Sequence, residues 1–558
     1  MRYVRRSLGA AAVLLAFVVP VLASANAHGI SLRPQPASPA PLSRPSEGAV
    51  LRLGMPDATP TVDPAMVADE QDVQLADMLY SGLVRLDASY RVVPDSASTW
   101  TVSQDRRTYL FHLRHGLRFS DGHRVIARDF QYSINRSLSP ALKSPSAPTY
   151  LTDIEGATAV LNGTAKTVSG VKVLDPYTIR ITARWPVPYF LTELTYPTSF
   201  ALESARLKKL GSVDNFSWYI DPIGSGPYRL KSWEPNNNMV LVPNKHYPGP
   251  KPLRAIRLSF APLPTSDLYR NLNRSVDVIG LCSAQHGISH RPGIGEVNML
   301  SIDGLYMNAK IKPFGSRRVR RALELALNRP TLVRRALGHA VTAFSSFVPL
   351  GEPGADAALG SHTYDARTAR SLLQSAGYGE AKPFPSATLY YPDDPCNPRL
   401  GRLAQAMVKA WHRILRISID SRPLTLNALW AKVQTDSLAL YLAGWPADYP
   451  DPHDSLSLQW ESSALNNDVH YHDGRFDDLV HAADATWIYA RRVRLYTDAQ
   501  HVLMDDAAWV PLFIPHRIAY IRPTVTNLVL TGYGLIPRNG SWADVGIRSP
   551  VTRWRPPG

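Results

Sequence analysis

The 558-residue chain carries a formal charge of +15, with 45% hydrophobic and 19% charged residues. That balance excludes a disordered polypeptide, and the length exceeds one small core, so two or three domains are expected. The positive charge is spread along the chain without a long basic block. With no helix-turn-helix signal, zinc knuckle or basic stripe interleaved with aromatics, this argues against a nucleic-acid partner.

At the N-terminus, Arg2, Arg5 and Arg6 precede an apolar run from Leu8 to Leu22 and a small-x-small site at Ala25-Asn26-Ala27. The pattern predicts a secretory signal peptide over 1–27, cleaved before His28, and a periplasmic or secreted product. No cysteine stands near the cleavage site to take a lipid. Residues 28–49 are rich in proline and serine and read as a spacer. Val50 to Gly54 then alternates as a strand. Asp72 to Tyr80 has helical spacing, and Leu83 to Leu86 is strand-like. Tyr109 to Arg114 alternates, and Ser120-Asp121-Gly122 makes a turn. Ala127 to Leu138 is an amphipathic helix. Val171–Val173 and Thr178–Ile181 form strands joined at Asp175-Pro176, and a glycine loop at Ile223–Tyr228 leads into a strand ending at Trp233. Helices follow at Arg318–Leu327, Leu332–Leu337, Ala366–Ala376 (closed by Gly377), Leu403–Leu415 and Val493–Asp505. Strands are expected at Ile417–Ile419, Leu438–Ala443 and Val510–Ile514. Helical and strand patterns recur throughout, so the class is α/β.

The stretch Gly444-Trp445-Pro446-Ala447-Asp448-Tyr449-Pro450-Asp451-Pro452 reads as a loop after a buried strand, because its prolines cannot continue a helix or a central strand. A carboxylate, an indole and a phenol thus sit beyond the end of a core strand, where α/β sheets bind ligands. Catalytic signatures are missing: there is no Gly-x-Ser-x-Gly elbow, Walker A loop or His-Glu-x-x-His. Gly224-Ser225-Gly226 precedes a strand rather than a helix, so it reads as a tight turn and not a phosphate cradle. His470 and His472 alone do not make a metal site. Cys282 and Cys396 allow one disulfide in an oxidising compartment, or two buried thiols, and the sequence leaves both open.

Six blocks in order resemble the family 5 extracellular solute-binding proteins of ABC importers, which serve dipeptides, oligopeptides and nickel. They are Thr108 to Gly122 with Ala127 to Ser133, Gly170–Val173 with Tyr177–Ile179, Ile223–Tyr228, Arg317–Arg329, Tyr364–Tyr378, and Gly444-Trp445 through Asp451-Pro452. A lone block is weak, whereas six in order over most of the chain are specific. The resemblance implies two lobes joined by a hinge, with an extra subdomain on lobe I. The boundaries expected are 50–88, 200–304 and 516–558 for lobe I, 89–199 for its extra subdomain and 305–515 for lobe II. The chain would cross between lobes near Leu305–Asn308 and Pro511–Pro515.

It further implies that a peptide or other small ligand is enclosed between the lobes and delivered to a membrane permease powered by a separate ATPase. The protein would be a monomer with no catalysis and no cofactor. By the same resemblance, Asp448 pairs with a ligand α-ammonium, Trp445 supplies an apolar wall, Tyr449 flanks it and Gly444 opens the block. Leu442 stands where some oligopeptide binders carry an arginine for the ligand carboxylate. The alternatives are a receptor for a nickel chelate or heme, a chemosensory binding protein and a secreted hydrolase.

Overall fold

The computed structural model describes residues 49–55, 61–210, 221–250, 252–260, 268–281, 290–359, 364–379 and 382–548. The expected signal peptide, all but the last residue of the spacer, and Cys282 lie outside them. Cys396 is disulfide-bonded, which removes the free-thiol alternative for that residue.

The architecture is mixed α/β in two lobes. In the first, the strands run in the spatial order Tyr228–Glu234, Asn238–Pro243, Ala255–Ser259, Val50–Gly54 and Val278–Leu281. Val50–Gly54 pairs in parallel with both of its neighbours. In the second lobe the order is Ile419–Leu424, Ala387–Pro392, Leu440–Pro446 and Ser301–Met307. One 13-residue strand, Trp509–Ile521, belongs to both sheets. Its first part pairs antiparallel with Ser301–Met307, and its end pairs antiparallel with Val278–Leu281. The two lobes are therefore joined by a continuous hydrogen-bonded ladder as well as by chain connections.

A separate antiparallel sheet, in the order Ala97–Val102, Thr108–Leu113, Thr178–Thr182, Val171–Asp175, packs with helix Ala127–Ser137. Phe111, Phe130 and Ile181 are fully buried in the core it shares with the first lobe. The second lobe has two cores, one around Trp411 and Leu323 and one around Trp460, Trp509 and Tyr306.

Several local features follow from sequence chemistry. Helix Ala366–Ser375 starts on Asp365, whose carboxylate accepts from the amides of Arg367 and Thr368. It ends in a Schellman pair, Gly377 N–H to Gln374 O and Tyr378 N–H to Leu373 O, with Gly377 at φ +87°. The Gly224–Gly226 turn lies against the end of helix Glu70–Leu79. A β-carbon on Gly224 would sit 1.8 Å from Leu79 O, and Gly226 N–H donates to that carbonyl at 2.9 Å. Close backbone approach, not phosphate binding, explains these glycines.

Other expectations need correction. The strand at Leu440 does not stop at Ala443 but runs to Pro446, with Gly444, Trp445 and Pro446 opposite Asp303, Ile302 and Ser301. Proline is tolerated there because the neighbour on the other side, Ala387–Pro392, pairs only at Leu440 and Tyr441, leaving Pro446 at an edge. The strand expected at Ile417–Ile419 instead starts at Ile419 and runs to Leu424. A helical segment over His453–Trp460 follows the loop, where no helix was expected.

Candidate functional site

A cavity of about 770 Å³ lies between the lobes. The first lobe contributes Gly54, Glu70, Leu281 and Arg517, and the second contributes Asp303, Asp394, Leu442 and Gly444. A β-carbon on Gly444 would fall 2.0 Å from Asp303 Oδ1 and displace that carboxylate. Among the described residues, the lining holds Asp69, Glu70, Asp303, Asp393 and Asp394 against one arginine, Arg517, which pairs with Glu70. Burial, and then the charge of Asp394, push the Asp303 carboxyl up to about 7. The space thus favours cationic groups over anionic ones.

Of the four residues singled out from sequence, only Gly444 lines this cavity. Trp445, Asp448 and Tyr449 continue beyond it, where the Tyr449 ring meets those of Tyr150 and Tyr189. Asp448 is partly buried, and its carboxylate accepts a hydrogen bond from the Tyr150 phenol. Tyr150 stacks on Tyr196 at 3.8 Å between ring centroids, and the Tyr533 hydroxyl donates to the Asp448 carbonyl oxygen. Among the described residues, no lysine, arginine or histidine pairs with the Asp448 side chain. Burial pushes that carboxyl up to about 6.

The loop itself is organised by Asp454, which is fully buried. One of its oxygens accepts from the Trp445 indole N–H at 2.8 Å, and the other accepts from the Asp448 amide at 3.2 Å. The half-buried indole is therefore oriented by a polar bond at one edge.

Tyr449 is 2% exposed and packs in the first-lobe core. Its hydroxyl meets His453 Nδ1. Tyr189 stacks on the His453 ring at 3.8 Å and lies under the Arg492 guanidinium at 5.4 Å. Arg492 in turn holds Asp451 through two bonds of 2.7 and 2.6 Å. Burial, and then Arg492, hold the His453 imidazole well below its usual range, so it stays neutral and accepts a hydrogen bond from the Tyr449 hydroxyl. His470 and His472 do not converge: one meets Asp436, the other Ser462.

Sequence reasoning missed Asp454, Tyr150, Tyr196 and Tyr533. Asp454 had a local signal, a carboxylate six residues after Asp448 in a proline-rich turn. The tyrosines had none, because they arrive from distant segments.

Many of the buried carboxyls are displaced upward. Burial is the leading cause in each case, with Asp153 and Asp448 reaching about 6, Asp303 and Asp484 about 7, and Asp77 about 8. Between the unfolded carboxylate range and these values the native state binds more protons than the unfolded chain, so stability falls as pH rises. His453 opposes this only below the normal histidine range. Scanning calorimetry should give a higher unfolding temperature at pH 5 than at pH 8. The reverse order would contradict the burial of these groups.

The sequence from residue 91 to 489 matches the model of bacterial extracellular solute-binding proteins, family 5. The chain belongs to this family. It is 26% identical to a protein of Escherichia coli K12 named "Probable deoxycholate-binding periplasmic protein YgiS", over 90% of this chain and 95% of that one. It is 27% identical to the E. coli K12 periplasmic oligopeptide-binding protein OppA, over 83% of this chain and 87% of the relative. Among solved structures, the E. coli murein tripeptide binding protein MppA aligns with a TM-score of 0.75 at 23% identity, covering 90% of this chain and 99% of its own. Haemophilus influenzae OppA in complex with the peptide RPPGFSPFR aligns at 0.73, also at 23%, covering 90% and 100%. At that identity the structures establish a shared fold. In the family 5 chain described here, that fold places the acid-lined cavity, with Gly444 in its lining, between two lobes. No helix among the described residues is long and apolar enough to cross a membrane.

Proposed function

We propose that this protein captures peptides between its lobes as the extracytoplasmic binding component of an ABC importer, with Asp448 receiving the peptide α-ammonium. The observation that carries this reading is a carboxylate, partly buried between the lobes, with a phenol for company and, among the described residues, no cation. An ammonium supplies the missing charge and a short, charge-assisted bond. Trp445, oriented by Asp454, presents its ring to the adjoining residue, and Gly444 opens the approach beside Asp303. Oligopeptide-binding and murein peptide-binding relatives support the ligand class. The five cavity acids favour peptides with basic side chains. Permease and ATPase partners, a monomeric state, export before His28 and the absence of catalysis belong to the same proposal.

The chain enters the second lobe ahead of strand Ser301–Met307, not at the expected Leu305–Asn308, and returns within Trp509–Ile521, whose ladder flexes as the hinge. Small-angle scattering of the purified protein should show a smaller radius of gyration when a basic peptide is added at saturation. Binding is confirmed by calorimetry in the same sample. An unchanged radius with confirmed binding would contradict hinge closure.

A second reading has one observation in its favour. Leu442 lines the cavity where the resemblance places a carboxylate-binding arginine, and Arg517, the one lining arginine among the described residues, is engaged by Glu70. A non-peptide solute without a carboxylate fits that wall.

A further inference from the structure

We propose that Asp121, His123 and Glu203 form a binding site for a divalent transition-metal cation in the first lobe, separate from the interlobe cavity. This is the one group of metal-ligating side chains that comes together among the described residues, and the solute-binding reading makes no use of it.

The first two ligands are preset by a tight turn. Phe119 N–H donates to His123 O at 2.8 Å, Gly122 N–H donates to Phe119 O at 2.9 Å, and Arg118 Nη1 donates to Gly122 O at 2.7 Å. Ser120 N–H is tied to Gly224 O at 2.8 Å, which fixes the turn on the lobe. Inside it, the His123 amide donates to Asp121 Oδ1 at 3.0 Å, so carboxylate and imidazole face the same way.

Glu203 arrives from a different segment, just before helix Ser204–Leu210. It is held between two anchored neighbours: Leu202 N–H donates to Ser133 Oγ at 2.9 Å, and Ser204 Oγ donates to Asp129 at 2.8 Å.

The unexplained feature is Glu203 itself. It is 7% exposed, and its Oε2 is buried with no hydrogen-bond partner. Its Oε1 lies 3.2 Å from His123 Nδ1, the same nitrogen that meets Asp121 Oδ2 at 2.7 Å. Two carboxylates converge on one ring nitrogen that carries at most one proton. Glu203 and Asp121 also share a side-chain hydrogen bond, which in the metal-free site requires a proton between the two carboxyl groups.

A cation resolves the conflict, because it takes an electron pair from each of the three side chains. Their ligand atoms already lie within 4.8 Å of one another. One imidazole with two carboxylates is a donor set for zinc and its transition-metal neighbours rather than for calcium. The His123 side chain is 72% exposed, so the remaining coordination positions open to water. Binding releases the Nδ1 proton to solvent.

The test uses the exported full-length protein, stripped with a chelator and titrated calorimetrically with zinc chloride. Wild type should take up one equivalent. His123→Ala and Glu203→Gln should each weaken uptake by more than about 10-fold, while His472→Ala leaves it unchanged. Circular dichroism of the metal-free variants checks folding. The exposed His123→Ala carries the test if Glu203→Gln does not fold. With cobalt(II) as the probe, wild type should develop a visible absorption band that His123→Ala lacks. Equal titrations of wild type and His123→Ala, or no uptake by wild type, would overturn the site.

Discussion

Asp448→Ala should weaken binding of a peptide with a free N-terminus by about 2–5 kcal/mol and leave the N-acetylated form of the same peptide nearly unaffected. The ammonium is the group that needs the carboxylate, and acetylation removes its charge. The large size follows from the surroundings. Asp448 lies beside Tyr150, Tyr196 and Tyr533 in the space between the lobes, where water cannot replace a lost partner cheaply. Trp445→Ala should instead weaken both peptides alike, since it removes apolar contact and not charge. Calorimetry on wild type and both variants with the two peptides separates the roles. Equal losses for free and acetylated peptide with Asp448→Ala would show that the carboxylate does not read the N-terminus.

Asp63→Ala should destabilise the first lobe by about 3–5 kcal/mol. Asp63 and Arg136 form a two-bond ion pair at 2.9 and 2.7 Å, with side chains 0% and 2% exposed. The pair joins the loop before helix Glu70–Leu79 to helix Ala127–Ser137 of the extra subdomain. Removing the carboxylate leaves a guanidinium in the core without that partner. By contrast, Asp221→Ala breaks a pair with Arg206 whose side chains are 73% and 39% exposed, and should cost less than about 1 kcal/mol. Urea unfolding followed by circular dichroism compares the two. A shift for Asp63→Ala as small as that for Asp221→Ala would contradict the burial of the pair.

What could be read from sequence follows the range of the forces involved. Strand Val50–Gly54, the hairpin through Asp175-Pro176 and the glycine-capped helix Ala366–Ser375 were legible, because alternation, turn chemistry and caps act within a few residues. The continuation of the Leu440 strand through Pro446 was not, since only the edge position excuses the proline. Nothing local to helix Ala127–Ser137 marks Arg136 as buried, because its partner lies 73 positions earlier.

At the site, Gly444-Trp445 and Asp448 stood out as part of a family block, yet what surrounds them did not. Tyr150, Tyr196 and Tyr533 are brought to Asp448 by tertiary packing of the first lobe and the C-terminal region, which leaves no local pattern. The acid lining of the cavity is equally nonlocal, drawing Glu70, Asp303 and Asp394 from three separate segments.

The central claim is that the space between the lobes takes peptides. Native mass spectrometry of protein purified gently from its own exported fraction tests it most directly. The account predicts a retained ligand whose release and fragmentation give amino-acid sequence ions, enriched in lysine or arginine and lost from Asp448→Ala. A retained steroid, tetrapyrrole or metal chelate, with no peptide bound after exchange against a peptide mixture, would contradict it.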